Sequence, residues 1–96
     1  MHRGHCAAAE KILGYLERGT AYLKMGQASK ALADYDMAAS IFPRDSVILF
    51  GRGLARAMLG DSAGADADRD QALKLNGDAA TWFRLRGISI PQPVKT

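Results

Sequence analysis

The segment LERGTAYLKMG (Leu16 to Gly26) returns, altered but recognisable, as FGRGLARAMLG (Phe50 to Gly60). The offset is 34 residues, and LRG (Leu85 to Gly87) falls one further step along. In this register Arg18 aligns with Arg52 and Arg86, Gly19 with Gly53 and Gly87, Ala21 with Ala55, and Gly26 with Gly60. Ala31 meets Ala65, Asp34 meets Asp68, Asp36 meets Asp70, and Ala38 meets Ala72. A fixed period of this size marks copies of one supersecondary unit, each too small to bury its apolar face alone.

Within a unit the pattern is helical. Leu13, Leu16, Thr20 and Leu23 follow a three-and-four spacing, as do Ala31, Tyr35, Ala38 and Phe42. Gly26-Gln27 and Gly60-Asp61 separate two helical stretches, glycine being suited to ending the first. Pro43 stops the second, and Asp45-Ser46 can cap the next. The spacing predicts an all-α chain of about five helices: one reaching about Met25, then 28–41, 46–59, 62–75 and 80–89. Gly19, Gly53 and Gly87 are read as close-approach positions between helices, and Gly26 and Gly60 as helix terminators.

Those residues carry a family resemblance. The chain resembles the tetratricopeptide repeats, whose 34-residue unit is a helical hairpin with small residues at the helix contacts and a closing proline. Tyr15, Gly19, Tyr22, Gly26, Ala31, Tyr35, Ala38 and Pro43 match in the first unit, and Leu49, Gly53, Gly60, Ala65 and Ala72 in the second. Trp82, Leu85 and Gly87 look like the opening of a third. The pattern departs at Arg69, where an aromatic is usual, and at Gly77, where proline is usual.

The resemblance implies a helical-hairpin repeat solenoid over residues 12–90, with units 12–45, 46–79 and a partial 80–90. Residues 1–11 are expected to extend the first helix or to be disordered, and 91–96 to form an extended tail. The second hairpin lacks a ring at Arg69 and carries helix-weakening Gly51, Gly53 and Gly64, so it is expected to be softer and to lean on Trp82 and Phe83. Pro91 and Pro93 prevent helix continuation, and no polar capping helix is recognisable in the sequence.

The first helix of each unit is apolar on two sides. Ile12, Tyr15, Gly19 and Tyr22 form one face, assigned to packing within the hairpin. Leu13, Leu16, Thr20 and Leu23 form the other, continued in the next unit by Val47, Phe50, Leu54 and Met58. In the family the second face lines a concave groove for partner segments. By resemblance these eight residues and Arg84 are the candidate protein- or peptide-binding positions, with Phe50 the expected anchor, dispensable for folding. The bland alternative is burial of this face against a neighbouring helix, because large apolar patches are rarely left exposed.

Charge narrows the partner. Some family members grip a carboxylate-ended peptide with several basic and amide side chains; the corresponding places here hold Leu16, Thr20 and Gly51, with only Arg84 basic. Convergent donors are missing, so binding of chaperone C-terminal tails is not expected. Arg18 and Arg52, recurring with Asp34, Asp36, Asp68 and Asp70, read most simply as an interhelix ion pair in each hairpin, worth ~0–1 kcal/mol if exposed. Net charge is a modest +3, and the aromatics sit at core spacing rather than among the basic residues. A nucleic-acid adaptor using Arg52, Arg56, Arg84 and Arg86 is therefore a lesser reading.

Chemistry finds little footing. HRGHC (His2 to Cys6) offers three metal-capable side chains but no fourth ligand at structural-zinc spacing, so neither a metal nor another cofactor is expected. Both histidines lie in the first five residues, no nucleophile–base set can be placed, and the acidic run from Asp61 to Asp70 lacks calcium-loop spacing. The expectation is not an enzyme. Cys6 is the lone cysteine and no apolar run is long enough to span a bilayer, which suits a reducing cytoplasmic setting and no membrane. The sequence points to a protein–protein interaction module. The alternatives are a self-associating scaffold, a homo-oligomer joined through groove or uncapped end, and a regulatory fragment of a larger protein.

Overall fold

A computed structural model describes the backbone of residues 3–88 and the side chains of residues 13–88. All regular structure among these residues is helical: α1 (Arg3–Lys24), α2 (Ala28–Ile41), α3 (Ser46–Met58), α4 (Ser62–Leu75) and α5 (Ala79–Arg84). The expectations placed on Ile12, on the HRGHC side chains, and on Ile90, Pro91, Pro93 and the tail lie outside the described residues. The backbone of α1 is helical from Arg3, well ahead of the first unit's expected start.

Local chemistry sets the boundaries. Asp45 caps α3 by accepting from the amides of Val47 at 2.9 Å and Ile48 at 3.2 Å. Asp61 does the same for α4, accepting from the Gly64 amide at 3.0 Å. At the ends of α1 and α3, Gly26 and Gly60 adopt φ of 78° and 90°. The following amides then turn back, Gln27 to the Tyr22 carbonyl at 2.8 Å and Asp61 to Arg56 at 2.9 Å. This is the left-handed glycine closure that satisfies a helix's last carbonyls.

The last helix departs from expectation. α5 ends at Arg84 instead of running to residue 89. Gly87 has φ of 82°, its amide donates to Arg84 at 3.0 Å, and the Ile88 amide donates to Phe83 at 3.1 Å. Gly87 therefore repeats the terminating role of Gly26 and Gly60. It does not share the close-approach role of Gly19 and Gly53, with which the 34-residue register aligns it.

Packing places α1 against α2, α3 against α4, and α2 against α3, with α5 resting on α3. The centre is Tyr35, fully buried with Phe83 and Ile48. A Cβ at Gly19 would stand 3.2 Å from the Tyr35 ring, and one at Gly51 would stand 2.5 Å from that ring and 2.9 Å from Phe83. Gly51, read from sequence only as a helix-weakening residue, is thus the tightest seat for this ring. Gly53 serves a backbone approach instead, its Cβ direction meeting the Ala65 carbonyl oxygen at 3.1 Å.

The recurrent ion pairs form. Arg18 donates twice to Asp34, from Nε at 2.9 Å and Nη2 at 2.7 Å. Arg52 repeats the fork on Asp68 at 2.9 and 3.0 Å, and Arg56 adds a third bond at 2.9 Å. Both carboxylates are buried, so the small value of an exposed pair does not apply to them. A buried carboxylate left without its guanidinium would be costly, which explains a pairing preserved in both hairpins. The hydrogen bond to Asp34 holds Arg18 more firmly protonated than usual, and Asp68 does the same for Arg52.

The glycine seats give a paired test. Gly14 is exposed in the interior of α1 with nothing within 4 Å of its Cβ direction, so Gly14→Ala should stabilise by ~0.5–1 kcal/mol. Gly51→Ala should instead destabilise by ~1–3 kcal/mol through overpacking against Tyr35 and Phe83. Urea unfolding of both variants checks the opposite signs; a neutral Gly51→Ala would contradict the seat.

Candidate partner-binding surface

The residues expected to line a groove divide sharply by burial. Leu16, Thr20, Leu23 and Phe50 are in the core, Val47 and Leu54 are half-buried, and Leu13, Met58 and Arg84 are exposed. Thr20 is 3% exposed and donates its hydroxyl to the Leu16 carbonyl at 2.7 Å. With that proton committed, the Tyr35 hydroxyl donates to Thr20 Oγ1 at 2.8 Å. Phe50 is 2% exposed and stacks on Phe83 with centroids 5.6 Å apart.

Phe50 is therefore a core ring, and the expectation of an anchor dispensable for folding is corrected. The spacing of the second face is explained for Thr20 by its bond with Tyr35 and for Phe50 by its stack on Phe83, with Leu16 and Leu23 buried in the same core cluster. Phe83 makes this possible: it stacks on Phe50, meets Tyr35 edge-on at 6.3 Å, and is itself met edge-on by Trp82 at 4.8 Å. Phe83 packs on the second hairpin as expected, through Phe50, and reaches the first hairpin as well, while Trp82 is partly buried against Phe83.

What stays open lies towards the helix ends. A cavity of about 470 Å³ is bounded by Leu23 and Lys24 from α1, Leu54, Ala57 and Met58 from α3, and Gly87 and Ile88 beyond α5. It gathers three of the expected groove residues, Leu23, Leu54 and Met58. Leu13, Val47 and Arg84 do not line it. Met58 is 51% exposed at its edge. The wall formed by Gly87 and Ile88 exists because α5 terminates early, and only a glycine following a helical stretch, as Gly26 and Gly60 do, could have signalled it.

Beside this cavity lies a more polar hollow, lined by Glu17, Thr20, Ala21, Lys24, Leu85 and Arg86. Leu85 is 79% exposed. Arg86 lies 3.6 Å from the Trp82 ring centroid, donates to the Trp82 carbonyl at 3.2 Å, and approaches Glu17 at 3.7 Å. It has no buried aspartate partner of the kind that Arg18 and Arg52 have. Lys24 lines both hollows, and its Nζ lies 3.8 Å from the Cβ direction of Gly87.

A third hollow, of about 140 Å³, lies between α3 and α4, bounded by Phe50, Gly53, Leu54, Ala65 and Arg69 among others. No family model, curated protein or solved structure gives a significant match to this chain. Among the described residues no three His, Cys, Asp or Glu side chains gather to hold a metal ion, and no helix is long and apolar enough to cross a membrane.

Tyr35 offers a reading of this interior by pH. Burial pushes its phenol above the usual tyrosine range, opposed by the hydrogen bond with Thr20 and assisted by the charge on Asp34. A raised folded-state pKa means that the stabilisation is whole below the ordinary tyrosine value of about 10 and is lost as pH rises through the raised value. The wild-type urea midpoint should hold up to about pH 10 and fall above it, and Tyr35→Phe should flatten that decline. Equal slopes in both proteins would contradict the buried phenol.

Proposed function

We propose that this chain is a protein–protein interaction module of tetratricopeptide-like, helical-hairpin repeat architecture, taking an apolar or amphipathic segment of a partner protein. The cavity bounded by Leu23, Leu54, Met58 and Ile88 is the observation that carries this reading. It is apolar, open, and large enough for one or two aliphatic side chains, in the size range of ligand pockets. The repeated Arg–Asp pairs and glycine closures support the repeat architecture independently of any relative.

Binding follows from simple terms. Seating apolar side chains on Leu54 and Met58 removes water from surface that the fold itself leaves uncovered, at roughly 25 cal/mol per Å² buried. Lys24 and Arg86 at the margin add charge that orients a segment more than it anchors one. Catalysis has no part in this reading, and neither does a cofactor. Self-association is the rival outcome, since a second copy could offer the same apolar surface.

Met58→Glu tests the surface, because the side chain is half-exposed and its charge can be solvated without unfolding the chain. Captured partner, identified by crosslinking to the wild-type protein, should be lost about tenfold or more from the variant at unchanged thermal stability. Unchanged capture would remove this surface from consideration. A dimer dispersed by Met58→Glu in light scattering would assign it to a second copy.

A further inference from the structure

The internal repeat supplies a control for the hollow between α3 and α4. A step of 34 residues carries Leu16, Gly19 and Thr20, which surround or bond Tyr35, onto Phe50, Gly53 and Leu54. These three line the hollow of about 140 Å³. The same step carries Tyr35 onto Arg69. Arg69 does not fill the space as a ring would; it lies half-buried at its margin and donates to the exposed Asp66 at 2.8 Å. The second hairpin thus keeps the α3 wall of an aromatic seat without its aromatic, while the Gly51 wall of the Tyr35 seat has no glycine counterpart, the same step reaching exposed Leu85.

We infer that this seat receives a phenylalanine side chain of the partner segment, the inference resting on the interaction reading above. Three observations select that occupant. The volume is close to the roughly 150 Å³ of a dry apolar cavity known to bind benzene. The hydroxyl that satisfies Tyr35 in the first hairpin, that of Thr20, is replaced by Leu54, so the α3 wall offers a ring only apolar side chains, the polar lining of Ser62, Asp66 and Arg69 coming from α4. The guanidinium of Arg69 at the margin is complementary to the electron-rich face of a ring.

Continuity makes one segment sufficient. Leu54 and Ala57 line both this seat and the larger cavity, so a chain lying across the end of α3 can fill both. The seat adds an aromatic requirement that the larger cavity alone does not impose.

Toluene, the phenylalanine side-chain analogue, is the direct probe. Titrated into the isotope-labelled full chain, it should shift the amides of Gly53, Leu54, Ala65 and Arg69 saturably. Methylcyclohexane, of similar size without a π face, should bind about two- to fivefold more weakly. Arg69→Phe should occupy the seat from within, raising the melting temperature and abolishing the toluene response at those amides. Shifts confined to Met58 and Ile88, or an Arg69→Phe protein that still binds toluene at the seat, would overturn the inference. Absence of any response in the wild type would do the same without involving a variant. If the toluene result fails while Met58→Glu still loses partner, the interaction surface stands and only the seat falls; the converse pattern removes the surface.

Discussion

One ring on the second helix ties four helices together. Tyr35 lies in the hollow left by two missing side chains, Gly19 on α1 and Gly51 on α3, while Phe83 from α5 meets it edge-on. Its hydroxyl would be expensive to bury alone and is satisfied by Thr20, whose own proton goes to the Leu16 carbonyl. The glycine helix penalty, of about 1 kcal/mol each, is offset by close packing around a full aromatic side chain. The positions of α3 and α5 follow from this contact, and so does the burial of Leu16, Thr20 and Phe50.

The second hairpin is built on the same plan but held differently. Its buried Asp68 takes three bonds from Arg52 and Arg56, where Asp34 takes two from Arg18. On α2, Leu32 and Tyr35 pack with the core that α3 shares; their equivalents on α4 are Asp66 and Arg69, joined to each other. A polar pair thus replaces an apolar one where a further hairpin would dock. A hollow of about 140 Å³ is left between α3 and α4, and it shares Leu54 and Ala57 with the larger apolar cavity.

Much of this was legible before any coordinates. The 34-residue register identified the helical elements, the terminating glycines Gly26 and Gly60, and the Arg18–Asp34 and Arg52–Asp68 pairs, because each depends on local chemistry or on strict recurrence. The register misled at Gly87, where the identity of the residue recurs but its backbone conformation belongs to the other class of glycine. It was silent on Gly51, whose role is set by Tyr35 and Phe83, distant in sequence. Leu16, Thr20 and Phe50, read as groove residues, are buried for a general reason: periodicity shows that a helix face is apolar, not whether another ring covers it. Phe83 covers Phe50, while Leu54 and Met58, one and two turns on, remain partly open.

Phe83 and Tyr35 form one interlock joining both hairpins, and the open surface is what this interlock leaves uncovered. Native-state hydrogen exchange on Phe83→Ala measures it most directly. The substitution should cost about 3–5 kcal/mol, with amides of α1, α2 and α3 losing protection together. Loss of protection confined to α5, with the two hairpins unaffected, would contradict the interlock.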